Sequence, residues 1–164
     1  MLENSGVPSK EQVKAILPDE TRRREGPVVI VECFQEIPCD PCHTACKIGA
    51  FLPFADINDL PQLDYESCNG CGICISFCPG LAIFVVDETY SDQEALVIIP
   101  WEFLPLPKAG DVVQGVNREG EIVSPVTVKK VSSSAKKKGA HILTLIVPKG
   151  LAHEIRAIKK EQVL

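Results

Sequence analysis

Residues 68–79 read Cys68-Asn69-Gly70-Cys71-Gly72-Ile73-Cys74-Ile75-Ser76-Phe77-Cys78-Pro79. The spacing is Cys-x2-Cys-x2-Cys-x3-Cys-Pro, a run by which bacterial chains hold cubane iron–sulfur clusters. A cubane offers four corner irons, and each needs one thiolate from outside. Three thiolates on one tight loop wrap three corners, because cysteines separated by two residues turn the chain around the cube. Cys78 lies one helical turn further on, out of reach of that cube, and so serves a neighbouring cluster. The small Gly70 and Gly72 let backbone N–H groups approach the cluster sulfides, which favours the reduced, more negative state.

The neighbouring set lies upstream, in Cys33-x5-Cys39-x2-Cys42-x3-Cys46. It departs from the downstream run twice: its first gap is five residues, and Lys47 stands where Pro would follow. A weak duplication still links the two runs, with Ala50 aligned on Ala82 and Phe51 on Ile83. Each half reads as a cysteine loop, one helical turn and a strand. Eight cysteines divide into two sets of four with none left over. With the fourth ligands crossed, Cys33, Cys39, Cys42 and Cys78 hold one [4Fe-4S] cluster, and Cys68, Cys71, Cys74 and Cys46 hold the other. The longer loop after Cys33 alters solvent access on its side, so the two potentials should differ.

Other readings stay open. Cys33 as a buried strand-end thiol would leave a three-cysteine site. Two four-thiolate zinc sites would also use every cysteine, with Cys39-x2-Cys42 and Cys71-x2-Cys74 as pairs, but they leave Cys68 in an awkward third position on one loop. The Cys-x3-Cys-x2-Cys spacing of adenosylmethionine radical chemistry is absent. His43, between two ligands, tunes a cluster by hydrogen bonding or is simply a surface histidine. Lys47 either raises the potential of the cluster held by Cys46 or snorkels at the surface. His141 and His153 are too scattered to complete a metal triad with His43.

All eight cysteines fall between Cys33 and Cys78 in a chain of 164 residues. Disulfides would spread across the fold and suit a secreted chain, whereas the polar start from Met1 to Lys14 does not read as a secretion signal. Clustered thiols without an export signal point to metal in a cytoplasmic protein. No run of about 18 apolar residues exists to span a membrane. The length allows one domain or two small ones and excludes a large enzyme with its own deep pocket. Residues 1–99 carry 6 Lys and Arg against 16 Asp and Glu, a balance of −10, and residues 100–164 carry 11 against 6, a balance of +5. Such asymmetry marks either two separately solvated surfaces or a half that docks to a partner of complementary charge. Nucleic acid is not expected as a partner, because no basic stripe is interleaved with aromatics.

Ser9 and Gln12 form a capping box for a short N-terminal helix over Glu11 to Leu17, stopped by Pro18. Arg22, Arg23 and Arg24 follow in a linker and read as solvated. Pro27 to Val31 reads as a strand leading into Cys33, Ile83 to Val86 as a second and Ala95 to Ile99 as a third. Trp101 and Phe103, set among prolines, read as packing at a junction. Asn117-Arg118-Glu119-Gly120 is a hairpin turn between Val112-Val113 and Glu121 to Val131. Lys136, Lys137 and Lys138 read as a solvated loop, His141 to Val147 as a strand, and Leu151 to Lys160 as a closing helix with Leu151, Ile155 and Ile158 on one face. The expected organisation is α+β. An N-terminal helix and linker occupy 1–26, a pseudo-twofold dicluster domain 27–95, and a small β-rich barrel or sandwich with a C-terminal helix 96–164.

Residues 28–86 resemble a two-[4Fe-4S] ferredoxin-type domain with βαβ-like halves. More narrowly, Val31-Glu32-Cys33-Phe34-Gln35-Glu36-Ile37-Pro38-Cys39 with Pro41-Cys42, together with the strand-rich tail, is similar to small iron–sulfur subunits of FAD-dependent amino-acid dehydrogenases. These are the proline, hydroxyproline and opine types, typical of anaerobic bacteria and archaea. The resemblance implies a hetero-oligomer with an FAD-containing dehydrogenase subunit and a further iron–sulfur subunit. Electrons would leave the flavin singly through the two clusters. The competing functions are a free ferredoxin-like carrier and a non-redox or oxygen-sensing iron–sulfur module. No acid, base or nucleophile constellation marks this chain as catalytic alone.

Overall fold

Four consecutive β-branched residues, Val28, Val29, Ile30 and Val31, form β1 (Val28–Val31), and all four are buried. A strand sealed on both faces carries no alternation, which is why this run is uniformly apolar. It pairs antiparallel with β2 (Ile83–Asp87), Val28 facing Val86 and Val31 facing Ile83. The cysteine-bearing segment therefore leaves the sheet at Val31 and returns at that residue's own register partner. Glu32 N–H extends the ladder by donating to the Ala82 carbonyl at 2.7 Å.

The computed structural model describes residues 2–134 and 140–163. The Lys136–Lys138 loop of the sequence reading lies outside the described residues. From β2 the sheet continues through β3 (Glu94–Trp101) to β6 (His141–Pro148), β5 (Ile122–Ser133), β4 (Val112–Val116) and β7 (Ala157–Val163). Every pairing is antiparallel. Here alternation returns: Ala95, Val97, Ile99 and Trp101 of β3 and Leu143, Leu145 and Val147 of β6 point into the core, with their neighbours partly exposed. A fully buried Leu or Ile is worth about 1.5–3 kcal/mol, so these two central strands carry much of the core. Trp101 is buried, while Phe103 is half-exposed and meets it edge-on.

The Asn117–Gly120 turn forms as expected. Gly120 takes a φ of 81°, and its N–H donates to the Asn117 carbonyl at 3.1 Å. Two expectations fail. The strands form one open sheet with β1 and β7 at its edges, in place of a barrel or sandwich. The sheet is continuous through β3, which pairs with β2 on one side and β6 on the other. The C-terminal helix is also absent. A short 3₁₀ turn, Lys149–Leu151, is followed by a further turn and then by β7. Helical spacing of Leu151, Ile155 and Ile158 loses to non-local pairing: Ile158 lies opposite Gly115 in β4, and Ile155 is sealed against that glycine. A Cβ on Gly115 would stand 3.2 Å from the Ile155 side chain, so the glycine makes room for the last strand's approach.

Among the described residues four short α-helices accompany the sheet: α1 (Leu2–Ser5), α2 (Lys10–Ala15), α3 (Glu20–Arg23) and α4 (Pro41–Ala45). The capping box is present in full, Gln12 N–H donating to Ser9 Oγ at 3.2 Å and Ser9 N–H to Gln12 Oε1 at 2.8 Å. Asp19 caps α3 in the same way, accepting from Arg22 N–H at 2.8 Å. Among the described residues no helix is long and apolar enough to cross a membrane.

Candidate iron–sulfur centre

Because β1 and β2 are register partners, Cys33 just after β1 and Cys78 just before β2 emerge at the same end of the sheet. Cys33, Cys39, Cys42 and Cys78 line one cavity, walled by Val31, Ile37, Pro41, Pro79 and Ile83. Burial pushes the Cys42 thiol up to about 11, with Cys78 and Cys39 adding repulsion. Cys33 and Cys39 are raised as well, first by burial and then by Cys78. Cys74 is driven furthest, to about 12, by burial and then by Cys68, Cys71 and Cys46. Cys33, Cys39, Cys42 and Cys78 thus share one cavity, while Cys74 feels Cys68 and Cys71 of its own run and Cys46 of the other. Free thiols so placed resist ionisation, first because burial disfavours the thiolate and then because each thiolate repels the next. Ligation by a cation removes that penalty, and the cation then holds the thiolates deprotonated.

The two halves match in backbone detail. α4 precedes Cys46, a 3₁₀ turn over Ile73–Phe77 precedes Cys78, and the two turns pack together. Cys46 and Cys78 both leave their turns in extended conformation, with φ and ψ of −77° and 98° against −71° and 112°. Three residues on, Gly49 and Leu81 both take left-handed φ values, 70° and 54°. One residue further, Ala50 N–H donates to Cys46 Sγ at 3.3 Å and Ala82 N–H to Cys78 Sγ at 3.4 Å. The aligned alanines of the duplication thus point the same donor at the same atom. Such N–H donors stabilise charge on sulfur and raise the potential of whatever it ligates.

Gly70 and Gly72 have a conformational reason to be glycine. Their φ values are 67° and 72°, in the left-handed region that other residues enter at a cost. A Cβ on Gly70 would also lie 2.5 Å from the Pro27 carbonyl oxygen. The loop from Cys68 is therefore pressed against the chain just before β1.

Two groups of charged residues escape a reading of motifs. Arg22 is buried, not solvated. Its guanidinium donates to the carbonyls of Tyr65 at 2.7 Å, Gly26 at 3.3 Å, Pro27 at 3.0 Å and Cys68 at 2.5 Å. Arg23 instead pairs with Glu88 at 2.7 Å, and Arg24, exposed, pairs with Glu20. Beside Cys33, Glu32 takes a bidentate pair from Arg118 at 2.8 and 2.5 Å and a bond from Arg156 Nε at 2.6 Å. Burial pushes the Glu32 carboxyl up, but the two guanidinium groups outweigh it and hold it below the usual value. Nothing in the spacing of residues 32, 118 and 156 signals that they meet. His43 is half-buried and its Nδ1 lies 3.0 Å from the Phe51 carbonyl. Its ring also meets Phe54 edge-on, so it is packed into the fold and is not a free surface histidine. Lys47 is exposed.

Among the described residues no group of three Cys, His, Asp or Glu side chains is gathered tightly enough to hold a single metal ion. A four-thiolate zinc site needs every sulfur about 2.3 Å from one ion. A cubane spreads its thiolates over four irons. The donor set is all sulfur, the cavity of Cys33, Cys39, Cys42 and Cys78 is lined mostly by apolar residues with Gln35 and Asp59 also on it, and the arrangement fits a cluster of that kind.

The comparisons with known proteins centre on the same segment. The model of the 4Fe-4S binding domain family matches residues 61–84. Ferredoxin-type protein NapF of Escherichia coli (strain K12) is 35% identical over 52 residues, covering 30% of this chain and 32% of NapF. Pyruvate synthase subunit PorD of Methanocaldococcus jannaschii is 38% identical over 52 residues, covering 32% of this chain and 58% of PorD. The match thus spans about a third of one relative and somewhat over half of the other. No solved structure matches. The chain carries a 4Fe-4S ferredoxin-type domain, built on the loop that runs from Cys68 to Cys78.

Proposed function

We propose that this chain relays electrons through two [4Fe-4S] clusters, one held by Cys33, Cys39, Cys42 and Cys78, the other by Cys68, Cys71, Cys74 and Cys46. We place it as a subunit beside an FAD-containing amino-acid dehydrogenase. The observation that supports the relay is that Cys78 lines the cavity of Cys33, Cys39 and Cys42 while Cys46 acts on Cys74, across the two runs. The name of PorD makes that relative a subunit of pyruvate synthase, which favours a subunit role. The flavin partner rests on the Val31–Cys42 resemblance. Each cluster supplies reversible storage of one electron. The protein's part is to hold four thiolates per site, direct the Ala50 and Ala82 N–H groups at sulfur, and exclude water with Val31, Ile83 and the prolines. A flavin yields electrons in pairs and can release them singly, so a one-electron wire suits it.

Anaerobic affinity purification tests both halves. Two cubanes require about 8 Fe and about 8 sulfides per chain, and a co-purifying yellow flavoprotein supports the subunit role. Half that iron, or zinc in its place, overturns the ligand assignment. Full iron in a chain recovered alone favours a free carrier over a subunit.

A further inference from the structure

Resting on that cluster reading, we propose that Arg22 is a positioning residue that raises the reduction potential of the centre on the Cys68–Cys78 loop. It does so by fixing a permanent positive charge on the Cys68 carbonyl. Arg22 is 6% exposed, and an arginine side chain stays protonated in proteins. Its neighbours satisfy their charge with carboxylates, Arg23 with Glu88 and Arg24 with Glu20. Among the described residues Arg22 pairs with no carboxylate, and its acceptors are the carbonyls of Tyr65, Gly26, Pro27 and Cys68. Carbonyls satisfy the N–H groups but do not neutralise the charge, and a buried charge left unneutralised is costly. A cluster held by the thiolate of Cys68 itself would supply the missing anion.

The geometry couples the two directly. Cys68 is itself buried, and its carbonyl takes the shortest of the four bonds. The same guanidinium grips Pro27 O, the atom against which Gly70 is packed. The cation is therefore tied to the loop at Cys68 and to the chain that the loop packs against at Pro27. Reduction adds one negative charge to the centre, and a fixed cation nearby favours that state. One unit of charge in a partly buried setting changes the equilibrium constant for reduction about tenfold, which for one electron is 59 mV.

The test is a redox titration of the full chain, purified anaerobically, with both centres followed by electron paramagnetic resonance and iron and sulfide measured on the same samples. Cys71→Ser identifies the signal of the Cys68 loop. Arg22→Gln should make that centre about tenfold harder to reduce and leave the other unmoved. Arg22→Lys, which keeps the charge, should stay close to the wild type. Full iron with both potentials unmoved in Arg22→Gln overturns the proposal, as does an equal shift in the Lys and Gln variants. Loss of one cluster in both variants also overturns it, making Arg22 a structural clamp only. A wild type without two centres fails the relay reading itself, a result visible in the iron count before any variant is made.

Discussion

Ala82 N–H donates to the Sγ of Cys78, four residues back, and Ala50 repeats the contact on Cys46. The two cysteines that carry this contact are the pair that the proposed ligand sets exchange. Replacing Cys78 with Ser should therefore perturb the centre of Cys33, Cys39 and Cys42, although Cys78 belongs to the other sequence run. Cys46→Ser should perturb the centre on the Cys68 loop. Paramagnetic resonance of the reduced proteins checks this. Loss of the Cys68-loop signal in Cys78→Ser would refute the exchange.

Gly70→Ala should be severely destabilising. The left-handed backbone costs a non-glycine residue about 1–2 kcal/mol, and the new methyl would lie 2.5–2.7 Å from Pro27 atoms. A loss of at least about 2 kcal/mol is expected, with reduced iron content. Gly80 lies next to the same motif with open space around it and no positive φ, so Gly80→Ala should leave the denaturation midpoint nearly unchanged. Parallel urea titrations of the two variants make the comparison.

Removing the Glu32 carboxylate strands two buried guanidinium groups. The side chains of Arg156 and Glu32 are 4% and 8% exposed, and Arg118 10%. Breaking one partner out of a buried ionic network costs about 3–5 kcal/mol, so Glu32→Ala should lower stability by that order. Denaturant unfolding measures it. Because Arg118 sits in the β4–β5 turn and Arg156 just before β7, hydrogen exchange should rise at both places in the same variant.

His153 predicts a dependence on pH. Burial lowers its pKa, and Arg156 and Arg23 add repulsion that the nearby Glu88, 2.6 Å from Nε2, only partly offsets. The unfolded chain therefore binds a proton more readily than the folded one. Stability is fully present above the ordinary histidine value of about 6.5 and falls as the pH drops below it. Glu88 itself is held below its usual value, burial raising it and His153 and Arg23 lowering it further, so a second loss follows at lower pH. His153→Gln should flatten the decline between about pH 6.5 and pH 5, as read from urea midpoints at several pH values. An unaltered slope would show that His153 is not its source.

Local chemistry was legible in the chain alone. The Cys68–Cys78 spacing, the Ala50 and Ala82 alignment, the Ser9–Gln12 cap and the Asn117–Gly120 turn each depend on residues within a few positions, and the spacing of those residues dictates their geometry. The β-branched run at Val28–Val31 likewise announced a strand. Only the tertiary structure decided what happens across long separations. It placed Ile158 opposite Gly115 and so made the last segment a strand, where its own apolar spacing fitted a helix. It drew Glu32, Arg118 and Arg156 together from three strand ends. It buried Arg22, one of three adjacent arginines with no local feature to distinguish it, against Tyr65 and Cys68. Backbone propensity and motif spacing act within a turn or two. The burial of a charge or the pairing of an edge strand is settled by which distant surface the rest of the fold leaves beside it.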